Sequence, residues 1–312
     1  MKEKLRRRVR ARALRALVQA RILLPAPLVG GALAAISPLA RFSRYERRTR
    51  ANLELALGAD TTASERARIA VGVRRHSARL FADWLRLARS GAPGTRDAHR
   101  GKWIESAVRL DDSVKILERE LGRGRGALIV TAHIGNWELL CARLRRMGLE
   151  GAVVGLRRAR DPSSAWLEEM RRTYGVATLA QTSSPRDVLR VLQRGHVVGL
   201  LADLLAPRID GAVVSFFGIP TRTMTAPAAL ARAARLPLVP VRCVREGGAY
   251  VLRVEEPLHF DAGLPRREAT IELTTRLNAT FERWIREHPA QWAWHQSRWR
   301  GSPDPDREFA AS

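Results

Sequence analysis

His133 and Glu138 are the two residues whose types and spacing could do chemistry. They follow the apolar run Ala127 to Ala132, which has the length and composition of a buried strand. A neutral imidazole can take a proton from a hydroxyl while a carboxylate holds its other ring nitrogen. Residues five positions apart diverge by about 140° on one helix, but a strand-loop-helix corner can bring them together. The pattern predicts either a general base with its orienting carboxylate or polar residues that only cap the following helix.

Other catalytic chemistries fit the sequence less well. Two side chains are too few to hold zinc, and no nearby Cys or second His completes a ligand set. The Gly-x-Ser-x-Gly elbow of serine hydrolases does not occur. The cysteines, Cys141 and Cys243, lie in apolar stretches, which suits a reducing cytoplasm. We therefore predict no metal ion and no other cofactor.

The chain is strongly basic. Its 312 residues include 55 Lys or Arg against 31 Asp or Glu, which gives a formal net charge of +24. Such a charge predicts an anionic partner, either nucleic acid or anionic lipid. No zinc finger, RNA-recognition block or similar module occurs in the sequence, so we expect lipid and no nucleic acid.

The N-terminal segment combines basic and apolar stretches. Fourteen Lys or Arg and two Glu fall within the first 50 residues, and Ile22 to Ala40 carries no charge over nineteen positions. That length can cross a bilayer, but Pro25, Pro27 and Pro38 interrupt a straight helix. Basic residues flank the apolar stretch on both sides, whereas a spanning helix usually has them on the cytoplasmic side only. The pattern of residues 1–42 therefore predicts a bent or interfacial anchor at the cytoplasmic leaflet, with a single membrane-spanning helix as the alternative.

The rest of the chain, residues 43–312, predicts one layered α/β/α domain. Helical spacing of apolar residues runs from residue 43 to residue 90, and a loop rich in Gly and Pro follows at 90–101. Short apolar runs then alternate with helical patterns, which is typical of a mostly parallel central sheet. Strands are predicted at 127–132, 152–156, 176–179 and 197–202, helices at 137–147, 164–174, 186–193 and 267–287, and a hairpin at 238–255.

Four blocks of the sequence resemble, in order, those of the bacterial lipid A biosynthesis acyltransferases, the late lauroyl and myristoyl transferases. That family lies within the wider lysophospholipid and glycerolipid acyltransferases that share a His-x4-Asp/Glu motif. The blocks are RRTRANLELAL at 47–57, HIGNWE at 133–138, SFFGIP at 215–220 with Thr223, and PAQWAWHQSRW at 289–299. Each block is a weak motif alone, and their order and intervals make the resemblance fairly specific.

The resemblance implies an activity. Family members transfer a fatty acyl chain from an acyl carrier protein or coenzyme A thioester to a glycolipid hydroxyl, such as that of a lipid A precursor. By this resemblance His133 is the base that takes the acceptor proton, Glu138 is its orienting partner, and the acceptor oxygen attacks the thioester without a covalent enzyme intermediate. The expected partners are anionic membrane lipid, the glycolipid acceptor and an acyl carrier protein, at the cytoplasmic face of the inner membrane.

Six further residues are candidates for substrate binding. Arg157 follows a predicted strand and could steady the oxyanion or a lipid phosphate, or it could be one more solvated arginine. Asp203 stands where the family has Asp-Gln-Asp, and it could hold a loop or an arginine or be a satisfied strand-end carboxylate. Phe217 could line an acyl channel or belong to the core. The full set is Asn136, Arg157, Arg172, Asp203, Phe217 and Gly218.

Departures from the family pattern leave the acceptor open. Asp203 is a single acid, and the closing block reads His-Gln-Ser-Arg-Trp in place of His-Arg-Arg. Another acceptor, such as a phosphatidylinositol mannoside or a lysophospholipid, is therefore an alternative. A different class of function is a basic lipid- or nucleic-acid-binding protein without catalysis. A catalytically silent homologue would be expected to lose His133 or Glu138, and both are present.

Overall fold

A mixed sheet forms the centre of the protein. The structure, a computed structural model, describes residues 43–89, 97–155, 162–204 and 211–299. The strands are β1 (Val108–Leu110), β2 (Ala127–Thr131), β3 (Gly151–Gly155), β4 (Ala177–Ala180), β5 (Val197–Leu201), β6 (Gly211–Phe216), β7 (Ile219–Met224), β8 (Leu238–Glu246) and β9 (Ala249–Val254). The central sheet has seven strands in the order β1-β9-β8-β2-β5-β3-β4. Strands β8, β2, β5, β3 and β4 are parallel, and β9 and β1 run the opposite way.

Helices cover both faces of the sheet. They are α1 (Arg44–Leu57), α2 (Ala63–Arg89), α3 (Asp97–Ala107), α4 (Val114–Leu121), α5 (Trp137–Arg146), α6 (Pro162–Thr173), α7 (Pro185–Gln193), α8 (Ala226–Ala234) and α9 (Arg266–Glu287), and a short 3-10 turn (Pro289–Gln291) follows. One buried cluster joins apolar residues of α7, α8 and α9 to Leu128 and Val130 of the sheet. A second cluster joins residues of α4, α5 and α6 to Ile129, whose side chain takes the other face. The predicted layered fold with a mostly parallel sheet is confirmed.

Strand β2 fixes the position of the HIGNWE block. All five of its residues are buried, because parallel strands surround it on both sides and helices cover both of its faces. Its last residue, Thr131, lies level with Leu201 at the end of β5. The segments that leave β2 and β5 therefore emerge side by side at the carboxyl edge of the sheet, where α/β proteins usually place their sites.

Two local predictions differ from the structure. Helix α3 begins at Asp97, so the predicted loop at 90–101 is wrong over its last residues. The SFFGIP block forms an unpredicted antiparallel hairpin of β6 and β7, apart from the central sheet. Phe217 and Gly218 make its turn with φ of 55° and 73°. Two consecutive positive φ values suit a two-residue hairpin turn. Because phenylalanine rarely adopts a positive φ, the sequence does not indicate a turn here.

The predicted membrane anchor, residues 1–42, lies outside the described residues. Within the ranges that are described, no helix combines the length and the apolar character needed to cross a membrane.

Candidate active site

Asp203 holds His133 by two hydrogen bonds at the carboxyl edge of the sheet. The Nδ1 atom of the His133 ring lies 2.8 Å from Asp203 Oδ1, and the His133 backbone N donates to Asp203 Oδ2 at 2.9 Å. Trp292 Nε1 donates to the same Oδ2 atom at 2.7 Å. Burial raises the pKa of Asp203, but the charge of His133 and these hydrogen bonds outweigh burial, so that the pKa lies below its ordinary value. Asp203 is therefore an anion that fixes the ring.

The other ring nitrogen of His133 is available to a substrate. With Nδ1 carrying the proton that it donates to Asp203, Nε2 has the free lone pair. Over the described part of the chain, no protein group bonds to Nε2, and 17% of the side chain is exposed. The ring of Trp137 packs edge-on against the imidazole at 5.0 Å between centroids. A fixed ring on a partly exposed side chain, with Nε2 unbonded among the described residues, has the geometry of a general base.

Glu138 does not orient His133, and this part of the prediction is wrong. Its fully buried carboxylate accepts from Arg171, with Nε at 3.0 Å and Nη2 at 2.5 Å, and from the Tyr174 hydroxyl at 2.7 Å. Burial lowers the pKa of Arg171, but the charge of Glu138 and its hydrogen bonds outweigh burial and raise it. Glu138 lies in the first turn of α5, where the helix dipole also favours an anion. The helix directs this carboxylate toward α6, away from the imidazole.

Gly135 lets the chain turn sharply between His133 and α5. Its φ is +60°, and a Cβ at this position would overlap the carbonyl oxygen of Cys243. Its backbone N donates to the Gln291 carbonyl at 3.0 Å, and the Asn136 backbone N donates to the Cys243 carbonyl at 2.8 Å. Gly135 therefore allows a close approach of two backbone segments that any side chain would block.

Asn136 is the N-cap of α5. Its Oδ1 accepts from the Leu139 backbone N at 3.0 Å and from Trp84 Nε1 at 3.3 Å, and its Nδ2 donates to Asp83 at 3.3 Å. Tyr250 donates its hydroxyl proton to Asp83 at 2.9 Å. The Asn136 side chain is fully buried, so both ends of its amide serve the fold. Its substrate-binding role stays a prediction.

Helix α2 and residues 291–293 both bond to the loop that joins β2 to α5. His76 of α2 lies with Nε2 3.1 Å from the Gly135 carbonyl oxygen. Burial lowers the pKa of His76 to about 4, so the ring is neutral near pH 7 and donates from Nε2. From the segment after α9, Ala293 N donates to the His133 carbonyl at 3.0 Å, and Ile134 pairs with Trp292. The sequence gives no signal for His76, and the closing block that contains Trp292 gives no sign that its indole reaches Asp203, because both residues come from distant parts of the chain.

The remaining predicted residues lie apart from this pair or outside the described ranges. Arg157 is among the residues that the structure does not describe. The Arg172 side chain is 76% exposed and pairs with Glu169 at 2.7 Å, whereas its neighbour Arg171 is the buried one. Phe217 packs into an aromatic cluster with Trp294 and Trp299. Substrate binding by Arg172, Phe217 and Gly218 stays a prediction.

A narrow apolar cavity of about 60 Å³ adjoins the carboxyl edge of the sheet, next to the loop that carries His133. Trp137 forms part of its wall, and so do the end of β2 and the adjoining strands β3 and β5. The cavity follows α5 toward the amino edge of the sheet, where Arg145 and Glu150 line it. Within the described ranges, no three His, Cys, Asp or Glu side chains come together in a way that could hold a metal ion.

The fold and its site define an α/β protein with a hydrogen-bonded His133–Asp203 pair at the carboxyl edge of its sheet. The chain belongs to the bacterial lipid A biosynthesis acyltransferase family, whose sequence profile matches residues 7–301. The resemblance inferred from the four blocks is thereby confirmed.

Curated relatives are similar over part of their length. A phosphatidylinositol mannoside acyltransferase of Mycobacterium tuberculosis (strain CDC 1551 / Oshkosh) is 29% identical over 189 residues, which are 59% of this chain and 57% of that protein. The protein of the same name from Mycolicibacterium smegmatis is 29% identical over 185 residues, 57% of this chain and 58% of that protein. The chain thus matches little more than half the length of these relatives.

Proposed function

We propose that this protein is a lipid O-acyltransferase that uses His133 as a general base and Asp203 as the carboxylate that orients it. The observation that carries the proposal is the hydrogen bond between His133 Nδ1 and Asp203, which leaves Nε2 of this partly exposed side chain without a partner among the described residues. Membership of an acyltransferase family indicates that the reaction served by this base is acyl transfer. The acceptor is a glycolipid hydroxyl, and the donor is a fatty acyl thioester of an acyl carrier protein or coenzyme A.

The proposed reaction moves one proton through His133. The acceptor hydroxyl gives its proton to Nε2 as its oxygen attacks the thioester carbonyl carbon. The buried Asp203 anion stabilises the imidazolium that forms. The tetrahedral intermediate then collapses, the carbon–sulfur bond breaks, and the leaving thiolate takes the proton from Nε2. The products are an ester and a free thiol, and the base is restored without a covalent enzyme intermediate.

The apolar cavity beside Trp137 supports a fatty chain as the transferred group. Its lining is mostly aliphatic, including Leu140, Leu144 and Val197. At about 60 Å³ the cavity holds roughly two water volumes, so the side chains around it must part to admit a chain. Acyl length is then set by how far the chain can pass along α5 toward Arg145.

Two acceptors are supported by different observations. Membership of the lipid A biosynthesis family favours a lipid A precursor. The name of the mycobacterial relatives favours a phosphatidylinositol mannoside as the second candidate. In both cases the acceptor is a saccharide lipid.

The proposed place of the reaction is the cytoplasmic face of the inner membrane. Residues 1–42, with their basic and apolar stretches, hold the protein there.

The test is acyl transfer by the purified full chain. Acyl carrier protein and coenzyme A thioesters of several chain lengths are offered with a lipid A precursor, a phosphatidylinositol mannoside or a lysophospholipid, and mass spectrometry detects the ester. We expect one saccharide lipid to be acylated by wild type, and His133→Ala to lose most of the rate at unchanged thermal stability. Lipid binding without turnover, in wild type and variant alike, would instead support a non-catalytic lipid-binding protein.

A second experiment tests the membrane placement. Deleting residues 1–42 should move much of the protein into the soluble fraction, while the remaining basic surface keeps some attachment that high salt removes. A truncated protein that stays fully membrane-bound at high salt contradicts this placement.

A further inference from the structure

A groove lined by arginines opens at the amino edge of the sheet, opposite the edge that carries His133. Arg123 and Arg125 precede β2, and Arg235 precedes β8, its parallel neighbour. His259 and Phe260 join them because Leu258 pairs with Leu238 at the start of β8. Strand β2 rises about 3.3 Å per residue, so its five residues separate the two edges by roughly 16 Å. This arginine groove, completed by Arg232 on α8, is therefore a separate feature from the His133 site.

The charge of the arginine groove is not balanced by the residues that line it. Of the residues that the structure describes, four arginines, one histidine and no acidic residue line its wall. Arg123 pairs with Glu120 at 2.7 Å, and Arg125 donates to the Arg235 carbonyl at 3.3 Å. Within the described ranges, Arg232 and Arg235 have no ion pair. The groove is open to solvent on one side and has a volume of about 450 Å³, which lies within the range of small-molecule sites.

The backbone of Arg235 gives a second, independent indication. Arg235 ends α8 with φ of 52° and ψ of 41°, in the left-handed region, and its N–H caps the Ala231 and Arg232 carbonyls. Glycine is favoured at this position, because it adopts the conformation without strain and makes the same backbone bonds. The guanidinium takes no part in these cap hydrogen bonds, so the fold does not require an arginine at this position. Strain of this kind points to a function for the side chain.

We propose that the arginine groove binds a phosphate ester. Arginine offers a planar fork that matches phosphate oxygens. Among the described residues, Arg232 and Arg235 are the two forks of the groove whose guanidinium groups bond to no other side chain. Leu236, Pro237 and Phe260 supply an apolar wall for the organic part of the ligand. The phosphate comes either from a soluble ester or from a phospholipid headgroup. This inference does not rest on the acyl-transfer activity.

Calorimetric titration of the purified full chain with phenyl phosphate tests the soluble source, and flotation with vesicles of phosphatidylglycerol in phosphatidylcholine tests the lipid source. Arg232→Gln and Arg235→Gly each remove one guanidinium, and Arg109→Gln removes an exposed one from β1 as the control for net charge. Arg235→Gly also relieves the backbone. We expect this variant to melt at a higher temperature than wild type and yet to bind at least ten-fold more weakly, which separates binding from folding.

The pattern across variants decides the proposal and its source. Weaker binding of phenyl phosphate by both groove variants, but not by the control, assigns a soluble ester. The same pattern in vesicle flotation alone assigns a headgroup. Equal losses in all three variants, or no loss in the groove variants in either assay, overturn the proposal, because the general basic surface then accounts for the binding.

Discussion

The Asp203 carboxylate fixes His133 at two points, the ring nitrogen Nδ1 and the backbone nitrogen of the same residue. One contact sets the tautomer of the imidazole, and the other sets the position of the chain that carries it. Trp292 then binds the same carboxylate, so that three donors act on one buried anion. A carboxylate held in this way can stabilise an imidazolium without moving, which lowers the cost of proton transfer in the site.

Asp203→Asn should lower the rate of acyl transfer by about 10²- to 10⁴-fold, because an amide can hold the ring in the wrong tautomer and cannot stabilise its positive charge. The rate is measured with saturating thioester and lipid, beside thermal melting of the same sample. Trp292→Phe is the matched variant: it keeps the aromatic packing and removes one donor to Asp203, so a loss of about ten-fold is expected. Near-normal turnover of Asp203→Asn would show that the carboxylate is only structural.

Glu138→Ala should act mainly on stability. The variant leaves Arg171 buried without its carboxylate, and breaking a buried pair in this way costs about 3 to 5 kcal/mol of unfolding free energy. Denaturant unfolding of wild type, Glu138→Ala and the double variant Glu138→Leu with Arg171→Met measures this cost. The double variant should recover much of the loss, since it removes both charges. A Glu138→Ala protein with wild-type stability and no activity would restore Glu138 to the chemistry.

His76 predicts a pH dependence of stability. Its pKa is lowered to about 4 in the folded protein, mainly by burial, against about 6.5 in the unfolded chain. Between these values the unfolded chain binds the proton and the folded protein does not, so stability falls as pH falls from about 6.5 toward 4. We expect wild type to lose about 1 to 2 kcal/mol more than His76→Gln between pH 7 and pH 5.

Urea unfolding of both proteins at the two pH values gives the difference directly. The other histidines are unchanged in the variant, so their contributions cancel in the comparison. Equal pH dependence of the two proteins would mean that the His76 ring is free to protonate in the folded state.

Gly135→Ala should disrupt the loop that carries His133 between β2 and α5. A methyl group there would overlap the Cys243 carbonyl oxygen, and the φ of +60° is itself unfavourable for alanine. Gly124→Ala is the control, because Gly124 also has a positive φ, +71°, but has nothing within 4 Å of a Cβ. The control should lose about 1 kcal/mol of stability and keep its activity. The Gly135 variant should lose more stability and most of its turnover, as measured by melting and acyl transfer.

The sequence was informative wherever a pattern is local. Strand β2 is a short apolar run, the glycine after it needs a left-handed backbone, and the four family blocks are contiguous, so the layered fold and His133 could be predicted. The partner of His133 could not. Asp203 is 70 positions away and reaches the ring because β5 pairs with β2, and strand order is not encoded in any local pattern.

The direction in which side chains leave a helix explains why Arg172 was predicted as a site residue and Arg171 was not. Arg171 and Arg172 are neighbours on α6, and adjacent positions on a helix point about 100° apart. One guanidinium is therefore buried against Glu138 and the other is solvated. Both look alike in the sequence, since choosing between them requires knowing which face of α6 meets α5.

The bond between Trp292 and Asp203 has a consequence for how the protein matures. During synthesis β2 and β5 leave the ribosome long before residue 292, so the sheet can begin to form while this carboxylate still lacks its indole donor. The loop that carries His133 also waits for Gln291 and Ala293, whose backbone atoms hold it. On the proposed mechanism, the site is therefore completed only near the end of translation, after the sheet has begun to fold.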